Sequence, residues 1–211
     1  MADAKPVSNY DLQVDMAREI FLSYDQEKLI RKFQLTADEN WICLNYIGTP
    51  LRIHRASGRV EEYREGQWQE CRSFNTVMTV YDLLCYHKGQ NMPALAGSWC
   101  TSANFILTGV TNADSFAGKY ASFFQEHTQA LHHACRHLGG EPVSSRAGAD
   151  LSYKIPVTDF FPVLLQFWRA DDEFPPKLMV MWDTNADKFL HFETTFYLQG
   201  DLLQRLKDCV Q

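Results

Sequence analysis

An α+β fold follows from three features of the sequence. Helical periodicity is concentrated at the start, middle and end of the chain, short strand patterns joined by turn residues lie between, and two almost wholly apolar runs stand near the C-terminus. Together they predict a mixed but mainly antiparallel sheet, with an N-terminal meander and a central C-terminal hairpin, covered by several helices. The 211 residues, 45% hydrophobic and 22% charged, suffice to bury a core as one domain over 1–211.

Ser8 followed by Asp11 starts the first helix as a capping box with Asp in the usual Glu/Gln place, and Leu12, Met16, Ile20, Ala17, Phe21 and Tyr24 form its apolar side. Asp25 caps a short second helix that turns Leu29, Ile30 and Phe33 inward and ends near Thr36. From Trp41 the period becomes that of strands: Trp41 to Ile47, a turn at Gly48-Thr49-Pro50, Leu51 to Arg55, a turn at Ser57-Gly58, and Val60 to Tyr63. Ser73 or Asn75 then caps a helix carrying Val77, Met78, Tyr81, Leu84 and Cys85, with a stop at Gly89.

The longest helical pattern runs from about 113 to 138 and ends at Gly139-Gly140, where a left-handed cap needs no Cβ. A surface loop to Asp150 follows, then the alternating strand Leu151 to Ile155, placed near a sheet edge by Ser152 and Lys154. The apolar runs Val163 to Trp168 and Leu178 to Trp182 have both faces covered and are central strands. A helix from about 194 to 209 closes the pattern.

Composition narrows the class of partner. A net charge of -6 and a pI near 5.6 argue against nucleic acid. The six cysteines are never in a C-x-x-C pair, so they read as buried thiols of a reducing cytosol. Nothing at the N-terminus resembles a signal peptide, and no apolar run approaches the roughly 18 residues that span a bilayer. The expectation is a soluble, cytoplasmic protein with no membrane partner and no cofactor.

The densest group of chemically capable residues is the segment from Val163 to Glu193. Asp171, Asp172 and Glu173 sit in the loop between the two apolar strands, beside Trp168 and Trp182. Three converging carboxylates need a cation or a raised pKa, whereas acids on a turn ordinarily splay into water. Asp183, Asn185 and Asp187 open like a calcium loop, but Lys188 stands where the loop needs Gly and Thr194 where it needs the bidentate Glu. Glu126, His133 and His137 share one face of the predicted long helix and are candidate metal ligands, while Arg136 and His137 also suit the negative helix end. Cys85 with His87, and Cys135 with His137, are two apart and point to different sides of a helix. Neither G-x-S-x-G, G-x-G-x-x-G nor a P-loop occurs.

The strings FWRADDEFPPKLMVMWD and LHFETTFYLQGDLLQRL resemble the closing half of the microbial family catalogued as domain of unknown function 3786. Weaker agreement extends to Gly97-Ser98-Trp99, Leu138-Gly139-Gly140, Gly148-Ala149-Asp150 and the hairpin with Ile47-Gly48 and Ser57-Gly58. The resemblance implies a bacterial setting common in anaerobes and, in some members, fusion to a cysteine-rich iron–sulfur domain of the kind seen in corrinoid proteins. This chain has no four-cysteine run, so no cluster carries over, and the family has no assigned catalytic residue to transfer.

The leading expectation is a non-catalytic module that binds a small ligand or a partner protein, with Trp168, Asp171, Asp172, Glu173, Trp182, Asp183 and Asn185 around its pocket. The alternatives are a metal-assisted hydrolase using the carboxylates from 171 to 193, with His191 and Glu193 nearby, and a structural subunit linked to redox or corrinoid metabolism.

Overall fold

Tight turns build the N-terminal sheet. In the computed structural model, which describes residues 8–105, 113–145 and 147–211, strands β1 (Thr36–Ala37), β2 (Trp41–Tyr46), β3 (Thr49–His54), β4 (Val60–Arg64) and β5 (Gln67–Glu70) pair in chain order as an antiparallel meander. The β2–β3 turn is Ile47-Gly48, with φ of 45° and 72°, the left-handed pair that suits a two-residue hairpin. A β-branched residue resists positive φ. Ile47 is nevertheless fully buried, and its N–H donates at 2.8 Å to the Val157 carbonyl of the second sheet, so tertiary packing offsets the strain.

The second sheet contains β6 (Trp99–Cys100), β7 (Glu141–Pro142), β8 (Leu151–Thr158), β9 (Phe161–Trp168) and β10 (Lys177–Asp183), arranged β6-β10-β9-β8-β7 and antiparallel throughout. The apolar run expected to be central is central, since β9 lies in the middle with Phe161 to Phe167 buried. β8 is separated from the edge only by the two-residue β7, and its Lys154 is exposed; Ser152, expected to alternate with it, is instead buried and accepts from Gln166 Nε2 at 3.4 Å. The architecture is thus α+β, with two five-stranded sheets among the described residues where the sequence pattern implied one.

Six helices lie among the described residues: α1 (Asn9–Ser23), α2 (Gln26–Phe33), α3 (Phe74–Cys85), α4 (Ala113–Glu126), α5 (Thr128–His137) and α6 (Phe192–Asp208). Their starts follow the local chemistry. Ser8 and Asp11 complete a reciprocal capping box, Asp25 accepts from Lys28 N–H, and Ser73 accepts from Thr76 N–H.

Two expectations are corrected. The single helix from 113 to 138 is two helices, because the chain turns at His127 and the Thr128 hydroxyl donates to the carbonyls of Phe124 and Gln125. On α1, Phe21 is buried and Val14, Ala17 and Tyr24 pack against the core, whereas Leu12, Met16 and Ile20 are 50%, 64% and 47% exposed. The helix carries two neighbouring apolar stripes, of which only one meets the core.

Helix α1 packs on α3 and α3 on α6, while α4 covers β10 and α5 lies against β8 and α6. One buried cluster includes Ile42 and Leu51 of the first sheet, Leu165 and Trp182 of the second, and Leu84 and Leu202 of the helices. Each such side chain contributes about 1.5–3 kcal/mol by leaving water. Among the described residues no helix is long and apolar enough to cross a membrane.

Candidate functional site

The hairpin residues singled out from the sequence occupy three separate environments. Trp168 pairs with Lys177 at the loop end of β9–β10, whereas Trp182 pairs with Val163, five residues along, or roughly 17 Å at the rise of a strand. The acidic loop lies at one end of the hairpin, and Asp183 and Asn185 at the other. A pocket formed jointly by the loop and both tryptophans is therefore not built.

Each residue has a local partner instead. Asp171 accepts from the N–H groups of Glu173 and Phe174, closing the loop as an Asx turn, and Asp172 and Glu173 face solvent. Trp168 Nε1 donates to the Ala147 carbonyl at 3.2 Å. Trp182 is fully buried, so it presents no wall to a ligand. Asp183, 1% exposed, accepts from the N–H groups of Ala96, Gly97 and Asn185 at 2.8–2.9 Å. Three N–H donors satisfy its charge without a cation, which accounts for the calcium-like spacing in structural terms. Asn185 bridges the Ala94 carbonyl and Lys188.

The metal candidates on α4 and α5 also part. Glu126 ends α4 and His133 and His137 lie on α5, beyond the break, all three exposed. Among the described residues no group of three or more His, Cys, Asp or Glu side chains is placed to hold a metal ion.

A different site is assembled by α1, α3 and the start of α6. They enclose a groove of about 480 Å³ whose apolar lining includes Met16, Ala17, Ile20 and Met78, with Tyr81, Cys85 and Tyr86 along α3. Its volume falls within the range of small-molecule sites. The groove exists because α1 turns its second apolar stripe toward α3 without covering it.

The polar focus of the groove is one pair. His191 Nδ1 lies 2.6 Å from Asp82 Oδ1, and Asp82 Oδ2 accepts from His191 N–H at 2.8 Å and from the Thr194 hydroxyl at 2.6 Å. The carboxylate fixes the proton on Nδ1 and leaves Nε2 with no partner among the described residues. The His191 ring meets the Tyr86 ring edge-on at 4.2 Å, which holds its plane. Below it Cys85 is buried, its thiol pushed up to about 12, chiefly by desolvation. It stays protonated and unreactive at neutral pH.

A second polar tie between α3 and α6 lies deeper. Asp201 accepts from Tyr46 Oη at 3.0 Å and from Thr76 Oγ1 at 2.7 Å, and Arg205 donates to Thr49 Oγ1. Burial raises the Asp201 carboxyl above its usual range. This cluster joins the first sheet to α6 and is closed to ligands.

Sequence spacing did not point to the groove, because Asp82 and His191 are 109 residues apart. The available signal was an acid, Asp82, inside the otherwise apolar stretch Val80-Tyr81-Leu83-Leu84-Cys85 of a helix.

Comparison with known proteins gives one finding. A family model described as a domain of unknown function (DUF3786) matches residues 25–205. It includes the α3 and α6 walls of the groove and excludes α1. Neither the curated proteins nor the solved structures returned a match.

Proposed function

The chain belongs to the DUF3786 family, and we propose that it is a non-catalytic binding module whose α1–α3–α6 groove holds a small, largely apolar ligand. The observation that carries this reading is an apolar groove of about 480 Å³ with one oriented polar group, His191, at its edge. A ligand there covers Met16 and Ile20, which the protein's own packing leaves exposed. All six cysteines are free thiols, which supports a reducing, cytosolic setting, and the charge of -6 weighs against nucleic acid.

Isothermal titration with 1-octanol tests the groove. Saturable binding that is weakened by Met16→Glu, a change at an exposed position, supports it. Absence of binding, or binding indifferent to Met16→Glu, counts against it.

One observation favours acid–base catalysis as a second reading. Asp82 holds His191 as the carboxylate of a catalytic pair holds its histidine, leaving Nε2 to accept a proton. Screening ester, amide and phosphoester substrates separates the two. Turnover that vanishes in His191→Gln supports the enzyme, and intact octanol binding without turnover supports the module.

A further inference from the structure

Beside the groove, and sharing Lys88 with it, a second cavity of about 720 Å³ lies between α2 and the segment 87–92. Lys28, Arg31, Lys32 and Lys88 line it together with His87, against one carboxylate, Asp25. Four full positive charges thus meet at one recess in a chain whose net charge is -6.

Local structure neutralises only part of them. Asp25 pairs with Lys28 at 3.4 Å. Helices α2 and α3 both end at the recess, and each C-terminus supplies about half a negative elementary charge. After Asp25 and the two helix ends, roughly two positive charges remain. Lys32 Nζ donates to the His87 carbonyl and Lys88 Nζ to Tyr24 Oη, contacts that satisfy hydrogen bonds without cancelling charge. Burial, with the neighbouring Lys88 charge adding to it, holds the Lys32 ammonium below the usual lysine value. Like charges held together at this cost are relieved by an anion.

We propose that the recess takes a dianionic phosphomonoester head, and that the groove takes the apolar part of the same molecule, with Lys88 at the junction. The assignment rests on the groove being the ligand site. The residual charge of the recess matches a phosphomonoester better than a carboxylate, and Lys88 lines both cavities.

Titration calorimetry with octyl phosphate, 1-octanol and inorganic phosphate tests it on the full chain. Octyl phosphate should bind at least about tenfold more tightly than 1-octanol, since hydrogen bonds to charged groups contribute about 1.5–3 kcal/mol. The double substitution Arg31→Gln with Lys28→Gln, at two exposed positions, should remove most of that gain and leave 1-octanol binding unchanged. Equal affinities for octyl phosphate and 1-octanol overturn the head-group assignment while the groove reading stands. A gain that survives the double substitution places the anion elsewhere and also overturns it. Binding of inorganic phosphate without 1-octanol overturns the joint site, and binding of no probe overturns both readings.

Discussion

Asp82 on α3 caps α6 from another helix, its carboxylate 2.6 Å from His191 Nδ1 and 2.8 Å from His191 N–H. His191 is the N-cap of α6 but makes no capping bond with its own side chain. A carboxylate at a helix N-terminus also suits the positive end of the dipole. One acid therefore ties two walls of the groove together and orients its imidazole ring.

Asp82→Ala removes an acceptor from three donors, and the expected loss of stability is about 2 kcal/mol, read by urea unfolding. Its more specific consequence is on the imidazole. Nitrogen NMR of neutral His191 should show the proton on Nδ1 in the native protein and a shift of population to Nε2 in Asp82→Ala. An unchanged tautomer contradicts the orienting role.

The thiols should react in an order set by burial. Cys71, Cys85 and Cys135 are buried, and desolvation pushes Cys71 up to about 11, Cys85 up to about 12 and Cys135 higher still. Cys209 is exposed. With Ellman's reagent on the native protein, Cys209→Ser should abolish the fastest phase, and the three buried thiols should react only on unfolding. A fast native phase assigned to Cys85 would show that the groove floor opens.

Asp201 makes a pH-dependent contribution with a defined sign. Its carboxyl is raised chiefly by burial, so the native state holds a proton that the unfolded state releases above about 3.9. The associated stability is fully present below that value and is lost as pH rises through the native pKa. The difference in unfolding free energy between the native sequence and Asp201→Asn should therefore fall as pH rises from about 4 toward neutrality. A difference that is flat or rises with pH contradicts the assignment.

Gly140 is fixed by a close approach. A Cβ there would stand 2.6 Å from the Cys135 carbonyl oxygen, whereas a Cβ at Gly66 would meet nothing within 4 Å. Gly140→Ala should cost about 1–3 kcal/mol by forcing backbone apart. Gly66→Ala, limited to the penalty of its positive φ, should cost about 1 kcal/mol. A Gly140→Ala variant that melts above Gly66→Ala would contradict this ranking.

Most elements were readable because their signals are local. Ser8, Asp25 and Ser73 cap helices through bonds to residues three positions away, and the run at Val163 to Trp168 is apolar because both faces are covered. Strand β5 was missed because Gln67-Trp68-Gln69-Glu70 is almost wholly polar and its turn, Glu65-Gly66, lacks the usual Asn or Asp. The helix break at His127 depends on a single hydroxyl, that of Thr128. The candidate site was hidden for a different reason. Asp82, His191 and Met16 come together only through the packing of three helices, while the acids of 171 to 173, adjacent in sequence, are held apart from Asp183 by the length of a strand.

The groove as the ligand site is tested most directly by methyl NMR of protein labelled at methionine, titrated with 1-octanol. Met16 and Met78 report from facing walls of the groove, and Met179 and Met181 from the hairpin. The account predicts saturable shifts of the Met16 and Met78 methyls with Met179 and Met181 unmoved. Shifts confined to Met179 and Met181, or no shift at any of the four, would contradict it.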